Sequence, residues 1–168
     1  MKNNPKTINF NNGFTLLEVM IAMVIFAVGM LGLAGIQSVS LQNEHASYSR
    51  SQAILLAYEM ADKLKANSGG SVNYVVDANT TAIAGYSGST MCTANSCTIT
   101  DIVKYDLGLW KAAVADLLPG GRASITNPSA LNHTITVHWD EDRTGATGTN
   151  CPVTADTDLR CFQLSVRL

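Results

Sequence analysis

Charge is scarce in this chain. Lys, Arg, Asp and Glu make up 14% of the 168 residues, and the formal net charge is -2. From Ser68 onward there are nine acidic and six basic residues, a net of -3, with no basic cluster. Nucleic-acid binding draws on grouped Lys and Arg that neutralise phosphates, so no nucleic-acid partner is expected. Catalytic and metal-binding signatures are missing too. His45, His133 and His138 are scattered among serines and threonines, with neither a nucleophile elbow nor an HExxH pattern. His138 sits between Val137 and Trp139 in an alternating run and is expected to face solvent, away from their side. The four cysteines, Cys92, Cys97, Cys151 and Cys161, are spaced more widely than the CxxC pairs of a zinc site. Asp140, Glu141 and Asp142 are not followed by EF-hand spacing and read as a solvated acidic turn. No catalytic residue, metal or cofactor is expected, and the chain does not read as an enzyme.

Glycine and proline are absent from residues 37–67. There Ala53, Leu56, Ala57, Met60, Ala61 and Leu64 recur at helical spacing and form one apolar stripe. Glu59 and Lys63 stand four apart in the favourable order, worth a few tenths of a kcal/mol (about 0.2 to 0.5). Upstream, residues 16–36 are nearly all apolar, and Glu18 is the only charge among them. About 20 apolar residues cross a bilayer core as a helix. One long helix over residues 15–65 is therefore expected, roughly 75 Å at about 1.5 Å per residue. Its half over residues 14–36 would span a membrane, and its half over residues 37–67 would be amphipathic. Asn67-Ser68-Gly69-Gly70 supplies the usual helix ending. Gly29, Gly32 and Gly35 sit at intervals of three, which suits either a locally unwound segment or close packing of neighbouring helices.

A carboxylate at the start of an apolar span calls for a positive partner, and the span contains none. A cut just after Gly13 would create one. The new α-amine on Phe14 would lie within one helical turn of Glu18, or could meet the Glu18 of a neighbouring copy.

Gly13 followed by Phe14-Thr15-Leu16-Leu17-Glu18, after a short segment with Lys2 and Lys6, resembles the N-terminal signature of type IV pilins and type II secretion pseudopilins. The resemblance covers about the first 36 residues. It implies a leader over residues 1–13, cleavage after Gly13 by a prepilin peptidase, methylation of the new N-terminal Phe14, and pairing of Glu18 with the N-terminus of an adjoining subunit. Many major pilins carry a proline near the three spaced glycines, and this chain does not. Two plainer readings compete. One is a secretory signal cut near Gly32-Leu33-Ala34, against which stand Glu18 and the length of the apolar run. The other is a simple anchor with an incidental Glu18. Two lysines before the span and no basic residue directly after it predict a cytoplasmic N-terminus in the inner membrane of a bacterium. The remainder would then be periplasmic, where an even cysteine count reads as disulfides. Four cysteines allow three pairings; proximity favours Cys92 with Cys97 and Cys151 with Cys161.

Residues 68–168 are expected to form the globular head. Short strands are expected near residues 72–76 and 98–100. Asp101 looks like the N-cap of a second helix over residues 102–118, with Val103, Leu107, Trp110, Val114 and Leu117 on one side despite Gly108. Pro119-Gly120-Gly121 stops it. Strands are expected over residues 122–126, 134–139 and 161–168, the last with Phe162, Leu164 and Val166 facing the long helix. The fold class is α+β and pilin-like: a long N-terminal helix packed on a C-terminal antiparallel sheet with a second helix. The stretch from Ser51-Gln52-Ala53 to Asp62, Trp110 and Leu117-Leu118-Pro119-Gly120-Gly121 resemble the PilV group of minor pilins (type IV pilus modification proteins). That resemblance implies a minor pilin that helps start assembly of a type IV pilus and joins it. Its partners would be the prepilin peptidase, other minor pilins, the major pilin and a tip adhesin. It would reside in the inner membrane and then in the fimbrium at the cell surface. A type II secretion minor pseudopilin is the alternative, and a membrane-anchored envelope enzyme is a third reading.

Overall fold

The computed structural model describes residues 13–88, 92, 96–129 and 131–168. Lys2, Lys6 and the rest of the expected leader before Gly13 lie outside the described residues. Helix α1 runs Leu16–Ala66, followed by a single 3-10 segment at Ser68–Asn73. Helix α2 runs Ile99–Leu117, and three strands complete the chain: β1 (Arg122–Ser129), β2 (Asn132–Trp139) and β3 (Arg160–Arg167). The chain divides into two compact units at Asn43/Glu44, within α1. In the first unit the helix stands by itself, with every described residue up to Glu44 exposed.

The second unit holds the core. All six stripe residues of α1, from Ala53 to Leu64, are buried. The stripe alternates alanines with Leu56, Met60 and Leu64, so the backbone comes close to the head while the larger side chains fill it. The sheet is an antiparallel meander in the order β1-β2-β3. Its register sets Ile135 opposite Ile125 and Leu164, and Val137 opposite Ala123 and Phe162. These side chains share the core face with Trp139. Val166 is buried on that face, while Phe162 and Leu164 pack against it only partly covered. The long helix packed on this sheet, with a second helix, makes an α+β fold of the pilin kind.

Trp110 connects the two helices. It is fully buried, and its indole N–H donates to the Leu56 carbonyl of α1 at 2.9 Å. Nearby, the Tyr74 hydroxyl donates to the buried carboxylate of Asp106 on α2 at 2.5 Å, and the Asn67 amide donates to Tyr74 at 3.3 Å. These bonds join the end of α1, the following loop and the middle of α2. Gly108, within the unbroken α2, has a steric reason to be glycine: the Tyr86 ring lies where a β-carbon would be.

Three local expectations are corrected. Helix α2 begins three residues earlier than its apolar pattern suggests, because Thr98, not Asp101, is the N-cap. Thr98 Oγ1 accepts from the Asp101 N–H, and Asp101 Oδ2 accepts from the Thr98 N–H, each at 3.2 Å. This is a reciprocal capping box with Asp at its third position. Residues 98–100 are thus cap and first turn, not strand. Residues 72–76 are not a strand either, since the 3-10 segment occupies the first two and only Val76 bridges, to Ile125. Two disulfides, Cys92–Cys97 and Cys151–Cys161, close loops of 5 and 10 residues' separation. The longer ring contributes up to about 3 kcal/mol in the chain-entropy account.

Truncating Trp110 should show the weight of the helix–helix contact. Trp110→Ala is expected to lower the free energy of unfolding by about 3 to 5 kcal/mol through lost packing. Trp110→Phe keeps most of the ring and removes the donor to the Leu56 carbonyl, and is expected to cost about 1 to 3 kcal/mol. Urea titration followed by circular dichroism reads both.

Candidate functional site

The N-terminal site is built by the first turn of α1. Thr15 stands just ahead of the helix and caps it. Its Oγ1 accepts from the Glu18 N–H at 3.3 Å, and its carbonyl accepts from the Glu18 and Val19 N–H groups at 3.1 and 3.3 Å. Capping satisfies donors that have no intrahelical partner, and Glu18 falls in the first turn, where a carboxylate faces the positive end of the helix dipole. Gly13 and Phe14 lie outside the helix, and Phe14 is 83% exposed. The Glu18 carboxylate makes no ion pair or hydrogen bond among the described residues. Behind it, α1 is long and apolar enough to cross a membrane, and none of that stretch is buried by the rest of the chain. The capping role of Thr15 has a signal in the sequence, the capping-box spacing of Thr15-Leu16-Leu17-Glu18.

The chain matches the model of the prokaryotic N-terminal methylation motif over residues 8–34 and that of type IV pilin Tt1218 over residues 35–108. This is a type IV pilin-like protein. No curated protein and no solved structure matches it. Type IV pilins are structural proteins. The methylation motif implies processing of the pilin by a prepilin peptidase, and assembly with other pilins.

The pilin's head places its titratable groups in structural roles. His133 is buried, with Nε2 3.0 Å from the Ser71 carbonyl. His138 does point away from the Val137 side, but it is 1% exposed and not solvent-facing. Its pKa is pushed below the usual 6.5 first by burial and then by the positive charges of Arg122 and Lys111. Lys111 reaches from α2 to the carbonyls of Asp77 and Ala123 at 2.7 and 2.8 Å, and burial lowers its pKa to about 8. The expected solvated acidic turn is more ordered than its composition suggests. Asp140 is buried and accepts from the N–H groups of Thr144 and Gly145, while Glu141 and Asp142 pair with Arg160 at 3.2 and 3.9 Å. Asp158 accepts from the N–H groups of Thr154 and Ala155 and from the Asn150 amide, each at 3.0 Å. The Thr154 N–H, ahead of the other donors, holds its pKa down to about 2. These carboxylates organise the loop between β2 and β3. No group of three or more metal-ligating side chains occurs among the described residues.

Stability should follow pH in two steps. A histidine with a depressed folded pKa takes up its proton in the unfolded chain first, so stability falls as pH drops below about 6.5. Asp158 is the converse, a lowered carboxylate whose contribution is complete above about 3.8 and is lost as pH falls toward about 2. Urea midpoints measured from pH 8 to pH 2 should show both declines. His138→Gln should remove the first and Asp158→Asn the second.

Proposed function

We propose that this pilin is a minor pilin of a type IV pilus. Its leader is cut after Gly13, Phe14 becomes the methylated N-terminus, and the chain is held in the inner membrane with the head periplasmic. It is then incorporated into the pilus, with a role in starting assembly alongside other minor pilins, the major pilin and a tip adhesin. One observation carries this reading: α1 is bare along its apolar half, and the one charge there, Glu18, has no partner among the described residues. A charge at the centre of a bilayer costs about 2.5 to 3.5 kcal/mol on insertion scales, less near the interface. A bundle of like helices both replaces the lipid around the apolar face and brings the α-amine of one subunit to the carboxylate of the next. The Cys92–Cys97 and Cys151–Cys161 disulfides fit a head that matures in an oxidising compartment. The PilV-like features of α1 and α2 support the minor role. A type II secretion pseudopilin has the same kind of N-terminus, and the type IV pilin match over residues 35–108 favours the pilus.

Intact mass of the protein from sheared filaments and from membranes tests the processing. A species beginning at methylated Phe14, present in filaments and lost without the prepilin peptidase, is the expected result. A chain beginning at Gly35 would instead mean an ordinary secreted protein. Glu18→Ala should leave the chain inserted in the membrane and deplete it from filaments, as read by quantitative blotting of both fractions.

A further inference from the structure

The two edges of the sheet are treated differently. In an antiparallel pair, opposite residues exchange main-chain hydrogen bonds at every second position. The Leu168 N–H donates to the Leu131 carbonyl at 3.0 Å, one step beyond the Asn132–Arg167 pair. Counting back by twos, Val166, Leu164 and Phe162 turn their N–H and C=O groups toward β2. Cys161, Gln163, Ser165 and Arg167 therefore turn theirs away from the sheet. The opposite edge checks this count. The same alternation carried across β2 turns Ala123 and Ile125 of β1 outward. Ile125 exchanges bonds of 3.0 and 2.9 Å with Val76, and the Ala123 carbonyl accepts from Lys111. The β1 edge is thus occupied. On β3, the outward groups of Gln163, Ser165 and Arg167 have no partner among the described residues.

An open, regular edge without proline or bulge is a template for another strand, and two features here indicate its occupant. Phe162 and Leu164 are only partly covered on the core face, while their β2 neighbours Val137 and Ile135 are fully buried. An added strand would complete that cover with apolar side chains at alternate positions. The second feature is charge. The head is net acidic, and Arg160 at the start of the strand is already paired with Glu141 and Asp142, yet Arg50 lies beside the strand and Arg167 at its end. Arg50 lines a cleft of about 460 Å³ with Trp139, Phe162 and the Cys151–Cys161 bridge. Arg50 and Arg167 have no ion pair or hydrogen bond among the described residues, and the Trp139 indole N–H is buried without an acceptor.

We propose that the outer edge of β3 is a strand-addition site whose occupant is an extended segment of a neighbouring pilin subunit, apolar on one face and carrying carboxylates. Main-chain bonds to Gln163, Ser165 and Arg167 supply affinity, and Phe162, Leu164, Arg50 and the Arg167 side chain select the side chains. The pilin reading enters only in naming the occupant as a neighbouring subunit.

The test is hydrogen exchange on the full chain in detergent micelles. The probe is a synthetic peptide of roughly seven residues, a usual strand length, alternating valine with aspartate, threonine and glutamate. In the free chain the amides of Gln163, Ser165 and Arg167 should exchange quickly, and those of Leu164 and Val166 slowly. The peptide should slow the first three. Ser165→Pro removes an outward donor without touching the β2 ladder and should abolish the protection. Arg50→Glu should weaken binding about tenfold, and a peptide with lysines in place of the acids should recover it. Should Ser165→Pro fail to fold, Arg50→Glu with the charge-swapped peptide still decides. Outer amides that stay unchanged at millimolar peptide, or protection that survives these variants, would overturn the proposal. Neither result bears on cleavage after Gly13, which the N-terminal mass settles separately.

Discussion

A helix that is apolar on every side over its first half and on one stripe over its second half leaves the chain two separate demands. The stripe must be covered by the remaining sequence, and the earlier half cannot be. Ala53, Ala57 and Ala61 let the backbone of α1 approach, while Leu56, Met60 and Leu64 fill the space they open. Around that stripe the head assembles. Trp110 comes from α2 to bond the Leu56 carbonyl, and Ile125, Ile135 and Val137 supply the sheet's inner face. Removing the stripe would leave a three-stranded sheet and one helix too small to bury a core of their own.

Polar groups inside the head are arranged to hold backbone in place. Tyr74, Asn67 and Asp106 fasten the exit from α1 to α2. Lys111 ties the loop after the 3-10 segment to β1, and Asp140 and Asp158 pin the long loop before β3 through main-chain donors. Burial raises the pKa of Tyr74 and lowers that of Lys111, and hydrogen bonds from the Thr154 and Ala155 N–H groups lower that of Asp158. Two surfaces stay uncovered among the described residues: the apolar half of α1 with Glu18, and the outer edge of β3 beside Arg50.

Much of this was legible in the residues. The long helix, the second helix, the alternating strand at β2 and the apolar face of β3 all follow from periodicity, because side-chain spacing and burial are coupled within one element. The misreadings share a cause as well. Asp101 reads as a cap because an acid commonly stands there, but the reciprocal bond with Thr98 depends on backbone geometry. Residues 72–76 have strand-like composition, yet Val76 alone finds a partner strand. His138 alternates out of the inner face as its position requires. It is nonetheless buried, with the charges of Arg122 and Lys111 close enough to act on it, and no local pattern reports what a distant segment will cover.

Gly13, Phe14 and Glu18, the apolar run behind them and the stripe that ends near Leu64 are properties of the sequence itself. They depend on spacing along one helix and on the cost of placing charge in hydrocarbon, both of which act locally. Tertiary structure alone decided which edge of the sheet is closed and which is open among the described residues. That outcome rests on where Val76 and Lys111 arrive from remote parts of the chain, and on the parity of hydrogen bonds across three strands. Such long-range pairing has no signature in the residues it joins.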